Sequence, residues 1–102
     1  MSELKLFYVT FPDGDALGEV RDSVLENKLA ACVNYLKVNS SYLWNGDIEE
    51  GEEVVALFKT SEEKSEDLKQ FIREAHPYDI PCILEIPVEA NQSYEEWIKG
   101  EV

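Results

Sequence analysis

A chain of 102 residues, 44% of them hydrophobic, is long enough for a single domain spanning residues 1–102 around one core. Its 22 acidic against 9 basic residues give a net charge of −13, a surface that repels phosphate backbones and argues against a nucleic-acid partner while attracting cations diffusely. Met1–Lys5 carries no apolar signal core and no apolar run approaches ~18 residues, so no membrane partner and a cytoplasmic location are expected.

Leu4–Thr10, rich in aromatic and β-branched residues, reads as a first strand, and Phe11-Pro12-Asp13-Gly14-Asp15 as a turn. Asp13 or Asp15 is placed to cap a helix in which Ala16, Leu17, Val20, Val24 and Leu25 recur on one face. That helix fades at Asn27-Lys28.

A second strand runs from about Ala31 to Trp44, and Asn45-Gly46 supplies the two φ > 0 residues of a type I′ hairpin. Some fourteen extended residues span ~46 Å at ~3.3 Å each. A helix of the same count spans only ~21 Å. Half of the hairpin must therefore overhang the helix that covers the sheet. An arm bearing Tyr42, Leu43, Trp44 and Ile48 exposes a sheet edge and large apolar side chains together, so these four residues are expected to be oligomer contacts. The return strand continues through Val54–Lys59, with Glu49-Glu50-Gly51-Glu52-Glu53 expected to interrupt it as a solvated bulge or turn.

Thr60-Ser61-Glu62-Glu63 offers a capping box, Thr60 as N-cap and Glu63 at the third helical position, for a helix with Leu68, Phe71, Ile72 and Ala75 on one face. His76-Pro77-Tyr78-Asp79-Ile80-Pro81 ends that helix, because each proline fixes its own φ and biases its predecessor toward extended backbone. Cys82–Val88 is the last main strand, with Pro87 suited to an edge, and Ser93 is placed to cap a short helix over Tyr94–Lys99. The order β-α-β-β-α-β with a helical tail is the α+β, ferredoxin-like split β-α-β arrangement with an antiparallel sheet.

The only histidine, His76, has Asp79 nearby and two readings: a cation ligand, or a residue that caps the carbonyls of its own helix. Cys32 and Cys82 lie in apolar runs without zinc-site spacing and read as buried, reduced thiols. No phosphate loop, GxSxG or HExxH pattern occurs, so no enzyme activity is expected.

Lys28-Leu29-Ala30-Ala31-Cys32-Val33-Asn34, Tyr42–Glu49, Phe58-Lys59-Thr60 and His76–Pro81 together resemble the CutA divalent-cation-tolerance family. Thr10-Phe11-Pro12-Asp13 and Tyr94-Glu95-Glu96-Trp97-Ile98 fit the same pattern, in order, over nearly the whole chain. The resemblance implies a homotrimer in which the long hairpin reaches neighbouring subunits. It also implies a role in tolerance to divalent metals, copper above all, with no obligatory cofactor, and a likeness to the trimeric PII signalling proteins.

Some relatives carry a cysteine before the threonine of the first strand and a second histidine before the His-Pro-Tyr. Here those positions are Val9 and Ala75, which reduces such a copper site to His76, with Cys32 matching the family's Ala-Ala-Cys. The alternative is a PII-like regulatory module whose subunit clefts, near Lys59, Tyr78, Asp79 and Trp44, bind a small ligand or a partner protein.

Overall fold

A computed structural model describes residues 3–102; Met1 and Ser2, at the start of the segment read for a signal core, lie outside the described residues. The elements are β1 (Leu4–Pro12), α1 (Ala16–Glu26), β2 (Cys32–Trp44), β3 (Asp47–Ser61), α2 (Ser65–Ala75), β4 (Ile83–Val88) and α3 (Gln92–Glu101). The four strands form one antiparallel sheet in the order β2-β3-β1-β4, the ferredoxin-like arrangement expected from the sequence.

Strand alternation decides which face holds the core. Phe7, Val9 and Phe11 of β1 sit opposite Phe58, Ala56 and Val54 of β3, and all six point to the face covered by α1 and α2. Leu17, Val20 and Val24 of α1, with Leu68 and Ile72 of α2, close over them. Burying one such side chain contributes about 1.5–3 kcal/mol. Beside this core Glu85 of β4 pairs with Lys69 of α2 at 2.7 Å and with Lys5 of β1 at 3.2 Å, so one carboxylate ties a helix to two strands.

Lys59 alternates with Phe58 and so points to the other face, where its Nζ donates to Tyr94 Oη of α3 at 3.4 Å. Only part of that face is covered. Ile98 of α3 is buried, whereas Leu36, Leu84 and Ile86 remain exposed.

Several local expectations are corrected. β1 continues through Phe11 and Pro12, which pair with Val54 and Glu53, so the turn is confined to 13–15. Asp15 occupies the α1 N-cap position but its side chain makes no capping bond. α1 ends because Lys28 adopts φ 55° and lets the Leu29 N–H return to the Val24 carbonyl at 2.9 Å, a Schellman closure without glycine.

Thr60 is no cap. β3 runs on to Ser61, and buried Thr60 donates its hydroxyl to the Leu29 carbonyl at 2.7 Å. The turn before α2 is held by Ser61, whose Oγ accepts the Lys64 N–H at 3.2 Å, and Lys64 takes the N-cap position. Asn91, not Ser93, precedes α3, which is longer than the sequence suggested. Cys32 and Cys82 are free but only half-buried.

Glu49–Glu53 do not interrupt β3. Each pairs in register with β2, from Tyr42↔Glu49 to Val38↔Glu53, without a bulge. The opposite residues include Asn39, Ser40 and Ser41, so no carboxylate faces another across the ribbon. Asn45 and Gly46 have φ of 51° and 85°, the positive values the hairpin requires.

The ribbon overshoots the body. β1 gives out at Pro12↔Glu53, yet β2 and β3 remain paired from Asn39↔Glu52 to Trp44↔Asp47. This accounts for the long axis of a 45 × 26 × 21 Å molecule.

Replacing Thr60 with Val keeps the shape and strands the Leu29 carbonyl. The expected loss is about 1–3 kcal/mol in urea unfolding, and an unchanged midpoint would show that this bond does not hold the α1–β2 connection.

Candidate functional site

The chain's one imidazole sits where β4 stops short. β4 begins at Ile83 opposite Val9, so among the described residues no strand flanks Thr10, Phe11 and Pro12 of β1 on that side. Pro77 holds the residue before it extended, and His76 accordingly leaves α2 at φ −69° and ψ 137°. Its ring stacks on Phe11 at 4.5 Å between centroids.

Nε2 lies 2.7 Å from the Thr10 carbonyl and Nδ1 3.1 Å from the Tyr78 backbone nitrogen. A carbonyl only accepts and an amide only donates, so this geometry selects the neutral tautomer with its proton on Nε2. The ring therefore does not cap the carbonyls of its own helix; only the His76 backbone N–H does so, bonding to Ile72.

The next link is Tyr78, whose ring lies 4.9 Å from that of His76 and whose hydroxyl donates to Glu53 Oε2 at 3.0 Å. A bond from a phenol to a carboxylate is worth about 1.5–3 kcal/mol where it is partly buried. Burial and the Glu53 carboxylate beside it push the Tyr78 hydroxyl up to about 12, so it remains a donor at neutral pH. Burial also lowers His76 below the ordinary imidazole value, against the raising effects of the Thr10 carbonyl bond and of Glu53.

Within one chain these residues form no ready-made divalent-ion site. Both ring nitrogens of His76 already have hydrogen-bond partners, and no group of three or more His, Cys, Asp or Glu that could hold a metal gathers among the described residues. Cys32 pairs with Lys59, whereas the His76 partner Thr10 pairs with Val55, four residues along β3 or roughly 13 Å. Val9 is buried in the core and Ala75 is an exposed helix residue, so neither extends the set.

The four cleft candidates are spread out within one chain. Trp44 is at the arm tip opposite Asp47, and Lys59, twelve residues along β3 from Asp47, is roughly 40 Å away. Tyr78 is at the arm root and Asp79 is exposed beside it. The arm residues Tyr42, Leu43, Trp44 and Ile48 are all exposed, and register divides them between two faces. Leu43 and Ile48 pair on one face, and Tyr42 and Trp44 alternate with Leu43 and point the other way.

A groove of about 610 Å³ escaped the sequence reading. It lies between the start of α1 and the root of β2, and its lining includes Asp13, Asp15, Arg21, Tyr35 and Lys37. The Arg21 guanidinium stands 5.3 Å from the Tyr35 ring centroid. Pairing between a helix residue and a strand residue outside its own element leaves no periodic signal.

Fold and site together define a ferredoxin-like α+β protein with an overhanging ribbon and an imidazole bolted to the first strand. The family model described as CutA1 divalent ion tolerance protein matches residues 5–101, and the chain belongs to that family.

The divalent-cation tolerance protein CutA of Thermococcus kodakarensis is 41% identical over 97 residues, covering 94% of this chain and 93% of that protein. The protein of the same description from Pyrococcus horikoshii is 42% identical over 94 residues, covering 91% and 92%. Among solved structures, CutA1 of Pyrococcus horikoshii superposes with a TM-score of 0.90 at 40% identity, over 95% of this chain and 96% of that one. A protein described as the periplasmic divalent cation tolerance protein CutA of Archaeoglobus fulgidus gives 0.91 at 32% identity, over 96% and 97%. Among the described residues no helix is long and apolar enough to cross a membrane.

The lowered His76 value sets a pH dependence. As pH falls, the unfolded chain takes up this proton first, so the stabilisation is complete above the ordinary imidazole value and is lost as pH drops toward the folded value. Thermal unfolding between about pH 8 and pH 5 should show Tm falling on the acid side, with a shallower fall in His76→Gln. Parallel curves for the two proteins would remove His76 as the cause.

Proposed function

We propose that this chain works as a non-enzymatic homotrimer that binds divalent metal, copper favoured, and contributes to the cellular response to metal ions. The observation that carries the reading is the family match over residues 5–101. Assembly is supported by apolar surface on two separate parts of the molecule. The arm is exposed on both faces at its tip, and Leu36, Leu84 and Ile86 on the partly covered sheet face are exposed as well. Monomers seldom carry so much apolar surface uncovered.

Metal attraction is supported by the net charge of −13, which three chains would multiply. Asp47, Glu49, Glu50, Glu52 and Glu53 all fall on the arm or its root. His76 is the one imidazole available to favour copper over harder ions, and a cation there must displace the Tyr78 N–H from Nδ1. Weak binding is therefore expected. Free thiols at Cys32 and Cys82 support a reducing, cytoplasmic setting.

The PII-like alternative, in which subunit clefts take a small ligand or partner protein, draws on the separation of Trp44 from Lys59. In this reading an arm from one subunit brings Trp44 to the Lys59 end of another.

Copper titration by calorimetry at low and at high salt tests the metal assignment, comparing the intact chain with His76→Ala. Saturable binding at one ion per chain that survives salt and disappears in the variant is the expected result. Uptake without a plateau, abolished by salt and equal in both proteins, would reduce the metal to diffuse attraction and shift attention to the clefts.

A further inference from the structure

We propose that the segment His76–Tyr78 is a strap that sets the arm against the body of the subunit, with Tyr78 as the positioning residue. The strap lies within one subunit and involves no metal.

The ladder between β1 and β3 fixes β3 only as far as Glu53, opposite Pro12. Beyond that pair the arm is a two-stranded ribbon, a structure that is marginal when nothing else supports it. Glu53 is therefore the residue about which the arm tilts, and Tyr78 holds the Glu53 carboxylate. The other end of the segment is anchored twice, by the Nε2 bond to Thr10 and by the stack on Phe11, within two residues of the end of β1. Pro77 lies between the two anchors and restricts how the segment can flex. The Nδ1 contact to the Tyr78 N–H joins the anchors into one chain, from Thr10 through His76 and Tyr78 to Glu53.

A second tie at the root is weaker. Lys37 Nζ lies 3.7 Å from Asp13 Oδ1, and the lysine side chain is 78% exposed, so solvent screens that pair. Leverage makes the root angle matter. Six extended residues reach ~20 Å, so a tilt of about 10° moves the tip by ~3–4 Å, enough to lose or gain a packing contact.

Amide hydrogen exchange on the intact protein tests the strap, with Tyr78→Phe removing one hydroxyl and Glu53→Gln keeping an acceptor without its charge. In Tyr78→Phe, amides of residues 39–44 and 47–52 should exchange about tenfold faster while those of Phe7, Val9 and Phe58 keep their protection. Glu53→Gln should give a smaller acceleration, and the double variant none beyond that of Tyr78→Phe, because both act on the same bond. Unchanged arm protection in Tyr78→Phe would overturn the proposal, and so would equal acceleration of arm and core. Should Tyr78→Phe fail to fold, unchanged arm protection in Glu53→Gln would overturn it alone.

Discussion

β3 is longer than the strand beside it, and most of what is distinctive in this molecule follows from that mismatch. β3 has fifteen residues and β1 nine, so the sheet narrows from four strands to three where β4 stops opposite Val9, and to two beyond Glu53. Within the body, Phe7, Val9, Phe11, Val54, Ala56 and Phe58 point toward α1 and α2 and are buried. Past the narrowing no helix among the described residues lies above the ribbon, and the same strand carries Ile48 and a run of carboxylates into solvent. A ribbon that is apolar on both faces at its tip and acidic along one strand combines a need for contacts with resistance to indiscriminate ones.

The end of β1 is where the mismatch is managed. β4 is too short to cover Thr10, and the His76 ring takes up the carbonyl that a longer strand would have met. The imidazole is thereby committed to a neutral form with both nitrogens used, which is why a histidine that invites a metal reading is also a structural bolt. The two roles draw on the same Nδ1 lone pair and cannot be filled together. Any cation taken up there acts against the contact that leads to Tyr78 and Glu53.

The elements were legible where the backbone signal is local. Asn45-Gly46 announces its turn because few other pairs tolerate two positive φ values, and α1 and α2 each show an apolar stripe facing the sheet. The failures share another physical character. Thr60 serves equally as a cap or as a strand residue, and only the distant Leu29 carbonyl decides between them. Glu49–Glu53 reads as an edge-guarding break because adjacent acids on an extended chain point to opposite faces, yet on a ribbon exposed on both sides each carboxylate stays hydrated while its backbone pairs. His76 was legible as special but not as bonded, since its partner Thr10 lies 66 positions away and enters through a backbone atom that any residue would supply. The overhang was visible from lengths alone, because strand and helix rise per residue differ by more than twofold.

The proposed trimer completes the overshooting ribbon and the partly covered sheet face with further copies of the same chain. Sedimentation equilibrium of the intact protein at micromolar concentration, without added metal, addresses it most directly. The expected mass is three times that of the chain, unchanged on dilution through the accessible range. A single-chain mass would contradict it, because the arm and the exposed sheet face would then be stable in water with nothing to cover them.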